Sequence, residues 1–164
     1  MKNFTEQDEE LIRFELCSRL PYGLMGRVVA TCVDTNYVDM DGFYGEKDFD
    51  VDVELDKIDI GNYEIHVTAL GKGNDDLCDY IEESQMYEPW TIFDFKPYLR
   101  PMSSMTEEEQ FQLGRLLGAT SYNLLKGEYS SLKELLEYFY KKHIDLFGLI
   151  PKGFALKAPE DMYK

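Results

Sequence analysis

Asp48, Asp50, Asp52 and Glu54 stand at every second position and are separated by Phe49, Val51 and Val53. An extended strand turns alternate side chains to one face, about 6.8 Å apart at a rise of about 3.4 Å per residue. The period therefore predicts a strand with a carboxylate face and a hydrocarbon face. These four acids lie within an acidic stretch from Asp34 to Glu64, where only Lys47 and Lys57 oppose them. Such a row can meet a basic protein, imitate a phosphate backbone for a nucleic-acid-binding protein, or hold a cation. It can also simply be a solvated face whose charge discourages edge-to-edge pairing. Asp48-x-Asp50-x-Asp52 matches the first three ligand positions of an EF-hand loop. The sixth position, however, is Val53 where glycine is required, and the twelfth is Asp59 rather than glutamate. The alternation also demands a strand, so an EF-hand is excluded and no metal site is expected.

Two short stretches place cations beside aromatics. One is Lys96-Pro97-Tyr98-Leu99-Arg100-Pro101, with Tyr98 between Lys96 and Arg100; the other is Arg19-Leu20-Pro21-Tyr22-Gly23, with Tyr22 three residues after Arg19. An arginine beside an aromatic ring can grip a carboxylate, a phosphate or a peptide. The competing reading is that these cations neutralise acids of the same chain and that the prolines position a helix start.

Conventional catalytic patterns are missing. The only histidines are His66 and His143, and neither sits in a recognisable nucleophile arrangement. His143 follows Lys141-Lys142 and reads as a cation at a helix end. No GxSxG, HExxH or P-loop pattern occurs, and Gly71-Lys72-Gly73 reads as a loop. Catalytic residues are not assigned, and no cofactor is expected.

Composition bounds the class. The chain has 164 residues, a normal size for a single domain, 1–164, and 44% of them are hydrophobic, enough for a core. Lys+Arg is 17 against Asp+Glu 32, a net charge of -15. That balance argues against direct binding to nucleic acid or anionic lipid; it can attract basic proteins, cations or basic peptides, or serve solubility alone. Cys17, Cys32 and Cys78 have no CxxC spacing. They read as reduced packing thiols, as in a cytoplasm. Neither an apolar signal core nor a run of roughly 18 apolar residues is present, so neither secretion nor a membrane span is expected.

Helix and strand signals supply the scaffold. Thr5 to Asp8 is a capping box opening a helix whose apolar face carries Leu11, Ile12, Phe14, Leu16 and Leu20. Pro21-Tyr22-Gly23 turns the chain, and Arg27–Val33 reads as a strand. Asp34–Gly45 is turn-rich, with Asp41-Gly42 as a hairpin signal. The acidic strand follows, and its phase slips between Leu55 and Ile58, which predicts a bulge near Asp56-Lys57. Gly61-Asn62 predicts a hairpin loop that places Lys57 opposite His66 and Asp59 opposite Glu64. Leu77–Gln85 fits either a short helix or an irregular strand. Trp90–Phe95 reads as a short strand, and Lys96–Pro101 cannot be helix. Capping boxes at Thr106–Glu109 and Ser131–Glu134 open two further helices. The first ends at Gly118 or Gly127. The second has Leu132, Leu135, Leu136, Phe139 and Tyr140 on its core face, and the tail from Gly148 is mostly irregular. The order predicts an α+β fold, an antiparallel sheet of about three to four strands packed with about three helices.

Three segments carry a resemblance: Cys17-Ser18-Arg19-Leu20-Pro21-Tyr22-Gly23, Lys96 through Thr106, and Gly148 through Tyr163. They resemble a family of uncharacterised proteins from gut Bacteroidales bacteria and their phages or prophages. The resemblance implies a bacterial or phage setting and supplies no mechanism. Three functions are expected from the residues: an intracellular interaction or accessory protein with an acidic sheet surface; a DNA mimic that inhibits a nucleic-acid-binding protein; or a small enzyme or nucleotide-binding protein built around Lys96, Tyr98 and Arg100.

Overall fold

Thr5 opens the first helix as its spacing predicts. Its Oγ1 accepts from the Asp8 backbone N–H at 3.2 Å, and its own N–H donates to Asp8 Oδ2 at 3.2 Å. Two of the helix's orphan donors are thereby satisfied. This helix, α1 (Glu6–Arg19), belongs to the first of two compact units, Met1–Pro97 and Tyr98–Lys164. The computed structural model describes residues 5–38, 44–59, 61–62, 64–69 and 90–163. The expected Asp41-Gly42 turn, the Gly71–Gly73 loop, the Leu77–Gln85 element and Cys78 lie outside the described residues.

In the first unit, α1 buries Ile12, Glu15, Leu16 and Arg19, a stripe at helical spacing. Phe14, expected on the apolar face, is exposed, because it stands half a turn away from Ile12 and Leu16. A 3-10 turn at Leu20–Tyr22 follows, and Gly23 adopts φ +67°, a region that favours glycine. Strands β1 (Met25–Val38), β2 (Tyr44–Asp59), β3 (Glu64–Ala69) and β4 (Lys96–Leu99) follow in sequence. β1 thus extends past Val33, because Asp34 and Val38 pair with Gly45 and Tyr44 of β2, with a register shift between them, where turn-rich composition suggested a loop.

All pairings within this unit are antiparallel. β2 lies between β1 and β3, and Lys96 and Pro97 of β4 pair with Arg27 and Gly26 of β1. The register between Leu55 and Lys57 shifts, which is the expected bulge, and the partners Lys57↔His66 and Asp59↔Glu64 follow as expected. Asp59 Oδ1 accepts from the N–H groups of Gly61 and Asn62 at 2.9 and 3.3 Å, which closes the hairpin. Val28, Ala30, Val51, Val53, Leu55, Ile65 and Val67 are buried on the inner face, and Leu24, Ile92 and Phe95 are buried in the same unit. Trp90–Phe95 is not a strand. Thr91 makes a single bridge to Glu64, and its N–H and Oγ1 both donate to Asp94 Oδ2 at 2.8 Å. That side-chain turn competes with an extended ladder.

In the second unit, Tyr98 and Leu99 of β4 pair parallel with β5 (Leu156–Lys157). Helix α2 (Glu107–Leu125) begins at the predicted Thr106/Glu109 capping box. It ends before Gly127, at φ +77°, and runs through Gly118. Helix α3 (Ser130–Lys141) starts without a side-chain cap, so the predicted Ser131/Glu134 box does not form; Ser131 is buried inside the helix. Leu132 faces outward, while Leu135, Phe139 and Tyr140 are buried. α4 (Leu149–Lys152) and β5 make the tail more regular than expected. Asp145 receives the N–H groups of Leu149 and Ile150 at 2.7 and 3.0 Å. Met105, Leu113, Leu135, Phe139 and Ile144 form the core, with Leu116, Tyr138 and Leu146 packed against it.

The class is therefore α+β, with a mostly antiparallel sheet. The described residues form five strands and four α-helices. Among them, no helix is long and apolar enough to cross a membrane.

Gly26 supplies a test of the first unit's packing. A Cβ there would meet Phe95 Cζ at 2.3 Å and the Lys96 carbonyl oxygen at 2.8 Å. Gly26→Ala is expected to lower stability by about 1–3 kcal/mol, as overpacking does. Urea unfolding measures this, and an unchanged midpoint would contradict the packing described.

Candidate functional site

The β1–β2 register decides what the sheet's outer face carries. It sets Met25, Arg27, Val29 and Thr31 opposite Glu54, Asp52, Asp50 and Asp48. Alternation places the side chains of Met25, Arg27, Val29, Asp48, Asp50, Asp52 and Glu54 on the face away from Val28 and Val53. Asp48 and Asp50 are exposed, and Asp52 and Glu54 are half-buried. The predicted carboxylate row is thus a geometric row, with one addition. Arg27 Nε lies 2.8 Å from Asp52 Oδ1, and its Nη1 lies 3.2 Å from Asp50 Oδ2. One guanidinium bridges two carboxylates, an arrangement the planar fork of arginine suits. Exposed pairs of this kind contribute about 0–1 kcal/mol each, so they hold Arg27 in place more than they stabilise the sheet.

Lys96 is exposed on β4 and is the register partner of Arg27. Val29 is 48% exposed between the acids and the arginine. The Trp90 indole N–H donates to the Val29 carbonyl at 3.0 Å and covers β1 where its pairing with β4 has ended. The first unit's face therefore carries four carboxylates, two cations and an exposed valine.

Arg19 is placed differently. It forms a buried pair with Glu15, Nη2 to Oε2 at 2.7 Å and Nε to Oε2 at 3.0 Å, and both side chains are 1% exposed. The i, i+4 spacing on α1 brings the two together. Tyr22 is half-buried in the 3-10 turn that follows.

In the second unit, Arg100 grips Glu109 with both terminal nitrogens, Nη1 to Oε1 at 2.9 Å and Nη2 to Oε2 at 2.8 Å. Nη2 also donates to the Ser104 carbonyl at 3.2 Å. Glu109 has a second task, since its Oε2 accepts the Thr106 N–H at 3.0 Å in the capping box. Lys142 Nζ approaches its Oε1 at 3.5 Å, and the Tyr138 hydroxyl donates to its backbone carbonyl at 3.0 Å. The hydrogen bond from Arg100 holds the Glu109 carboxyl down at about 2, against an ordinary 4.5. The same bond raises Arg100, and burial raises the Tyr138 phenol. Tyr98 is buried, and its carbonyl accepts from Tyr163 OH at 2.9 Å. His143 is buried as well, with its ring stacked on Tyr163 at 3.9 Å. Its surroundings are thus a packed ring stack, where the sequence suggested a cation at a helix end.

From the sequence, Arg27 reads only as the start of a strand and Glu109 only as a capping-box acid. The signal for Glu109 was present, since a capping-box glutamate stands nine residues after an isolated arginine. Arg27 required the cross-strand register. A groove of about 430 Å³ beside α2 and α3 is lined by Gln112, Arg115, Leu116, Ala119 and Tyr138. Among the described residues, no cluster of three or more His, Cys, Asp or Glu side chains could hold a metal ion. No protein-family model matches the chain, and neither a curated protein nor a solved structure matches it.

The Arg100–Glu109 clamp has a pH signature. Glu109 binds its proton more weakly folded than unfolded, so its stabilisation is complete above about pH 4.5 and disappears as pH falls towards 2. The gap between those values corresponds to about 3 kcal/mol. Glu109→Gln is expected to lower stability at pH 7 by that order and to flatten the acid limb between pH 4.5 and 2. Urea melts across this range, compared with wild type, measure both. A variant that keeps the wild-type acid limb would contradict the assignment.

Proposed function

We propose that this chain is a non-enzymatic interaction protein that meets a basic protein through the carboxylate face of β1 and β2. The observation that carries the reading is the row itself: Asp48, Asp50, Asp52 and Glu54 on one sheet face, with Arg27 bridging two of them. The strands that present the row favour the same reading. β3 pairs with β2 only from Val53 to Asp59, and β4 pairs with β1 only at Gly26 and Arg27. Beyond those limits the β1–β2 pairing continues to Val38 and Tyr44 as a two-stranded ribbon among the described residues. A ribbon with an acidic face and an exposed valine offers a partner both charge and apolar area.

Clustered carboxylates raise encounter rates with a cationic partner and make binding fall with salt. The partner belongs to the same bacterial cell or phage, as a cytoplasmic accessory protein of a mobile element would require. Within this reading the row can also stand in for a phosphate backbone, in which case duplex DNA competes for the partner. A pocket at Lys96, Tyr98 and Arg100 draws less support: Tyr98 is buried, and Arg100 is bonded through both terminal nitrogens to Glu109.

An affinity pull-down from host lysate with stepwise salt elution tests the proposal, comparing wild type with Asp48→Asn/Asp50→Asn. Wild type is expected to retain a basic protein that elutes at modest salt. The variant is expected to retain at least about tenfold less, a loss of about 1.4 kcal/mol. Displacement by added duplex DNA identifies mimicry. Equal capture by the variant, or capture that ignores salt, would contradict the proposal.

A further inference from the structure

Helix α2 buries little of itself. Glu109, Leu113 and Thr120 are its buried residues, while Phe111 is 69% and Leu125 88% exposed. At 3.6 residues per turn, Phe111, Gly114, Gly118, Tyr122 and Leu125 fall within an arc of about 80° on the side opposite the core. A Cβ built on Gly114 or Gly118 meets nothing within 4 Å. Packing among the described residues therefore gives no reason for glycine there, although glycine is the least favourable residue after proline in a helix interior. Gly118 lies at the middle of the apolar arc and Gly114 one turn earlier at its edge, where they would let a second backbone approach closely.

Charge along this face selects the occupant. Glu107 and Glu108 stand at its N-terminal end, and from Gln110 to Gly127 the sequence has no acid, only the cations Arg115 and Lys126. Lys126 Nζ sits 4.3 Å from the centre of the Tyr122 ring, which holds that cation at the C-terminal end of the same face. A uniformly basic partner meets repulsion at Lys126, and a uniformly acidic one at Glu107 and Glu108. The occupant that complements both ends is another α2 running antiparallel. We propose that two copies of this chain associate through α2, crossing at Gly114 and Gly118, with Glu107 of each copy beside Lys126 of the other. The twofold axis passes between the glycines, Phe111 packs near the other copy's Tyr122, and the opposed helix dipoles add to the match. This association is independent of the acidic sheet face.

Sedimentation equilibrium over a wide concentration range tests it. Wild type is expected to show a monomer–dimer equilibrium. Gly118→Leu and Leu125→Glu should each weaken it by about tenfold or more while thermal unfolding stays cooperative. Gly118→Ala should raise the melting temperature of the monomer and still weaken the dimer, opposite signs that a folding defect cannot produce. Glu107→Lys alone and Lys126→Glu alone should each weaken self-association, and mixing the two variants should restore a heterodimer. A wild-type chain that remains monomeric throughout would overturn the proposal. Dimers indifferent to these substitutions, or single charge variants that mixing fails to rescue, would also overturn it.

Discussion

The pairings Val28↔Val51 and Gly26↔Val53 fix the two faces of the first unit's sheet. Side chains alternate along a strand, so a slip of one residue would turn Asp50 and Asp52 inward and Val51 and Val53 outward. The hydrophobic penalty for such a slip is large, since Val28 and Val53 are fully buried. One constraint thus builds the core and lines up the carboxylates. Gly26 extends it to β4, because Phe95 and the Lys96 carbonyl approach closer than any side chain would allow. Lys96 then reaches the outer face opposite Arg27.

Three arginines of this acidic chain bond to carboxylates of the chain itself. Arg19 pairs with Glu15 inside the first unit, Arg27 bridges Asp50 and Asp52, and Arg100 grips Glu109. Each does a different job. A buried pair such as Arg19–Glu15 is expensive to break because either partner would be left charged without compensation. Arg27 organises a solvated face. Arg100 links the residues after β4 to the start of α2, because Glu109 is at once its partner and the capping residue. With these three cations engaged by the chain's own carboxylates, their charge is largely compensated within the chain.

Local patterns were the legible part of the sequence. The Thr5 and Thr106 capping boxes, the bulge after Leu55, the Gly61-Asn62 hairpin and its register all follow from spacing alone, and so does the α+β class. Where local patterns mislead, either cross-strand pairing or a competing local hydrogen bond overrides them. Asp34 and Val38 fall in a turn-rich stretch and form strand because Gly45 and Tyr44 of β2 pair with them. Trp90–Phe95 looks like a strand and becomes a turn because Asp94 captures the Thr91 donors. The Ser131 box fails because α3 starts two residues earlier, with Tyr129 at the N-cap, and buries Ser131. At the candidate site the acids were readable from their period, whereas Arg27 could be added only once β1 and β2 were aligned. The aromatic-flanked arginines were noticeable as outliers in charge, but nothing local distinguished a binding arginine from one bonded to a glutamate nine residues away.

The central claim is that the β1–β2 carboxylate face is a ready contact surface for a cationic partner. Titration of the labelled protein with a short lysine-rich peptide, followed by amide nuclear magnetic resonance shifts, tests it most directly. The account predicts shifts concentrated at Asp48–Glu54 and Met25–Val29, fading at about 1 M salt, where screening shortens to about 3 Å. Shifts centred elsewhere, or no shifts at low salt, would contradict it.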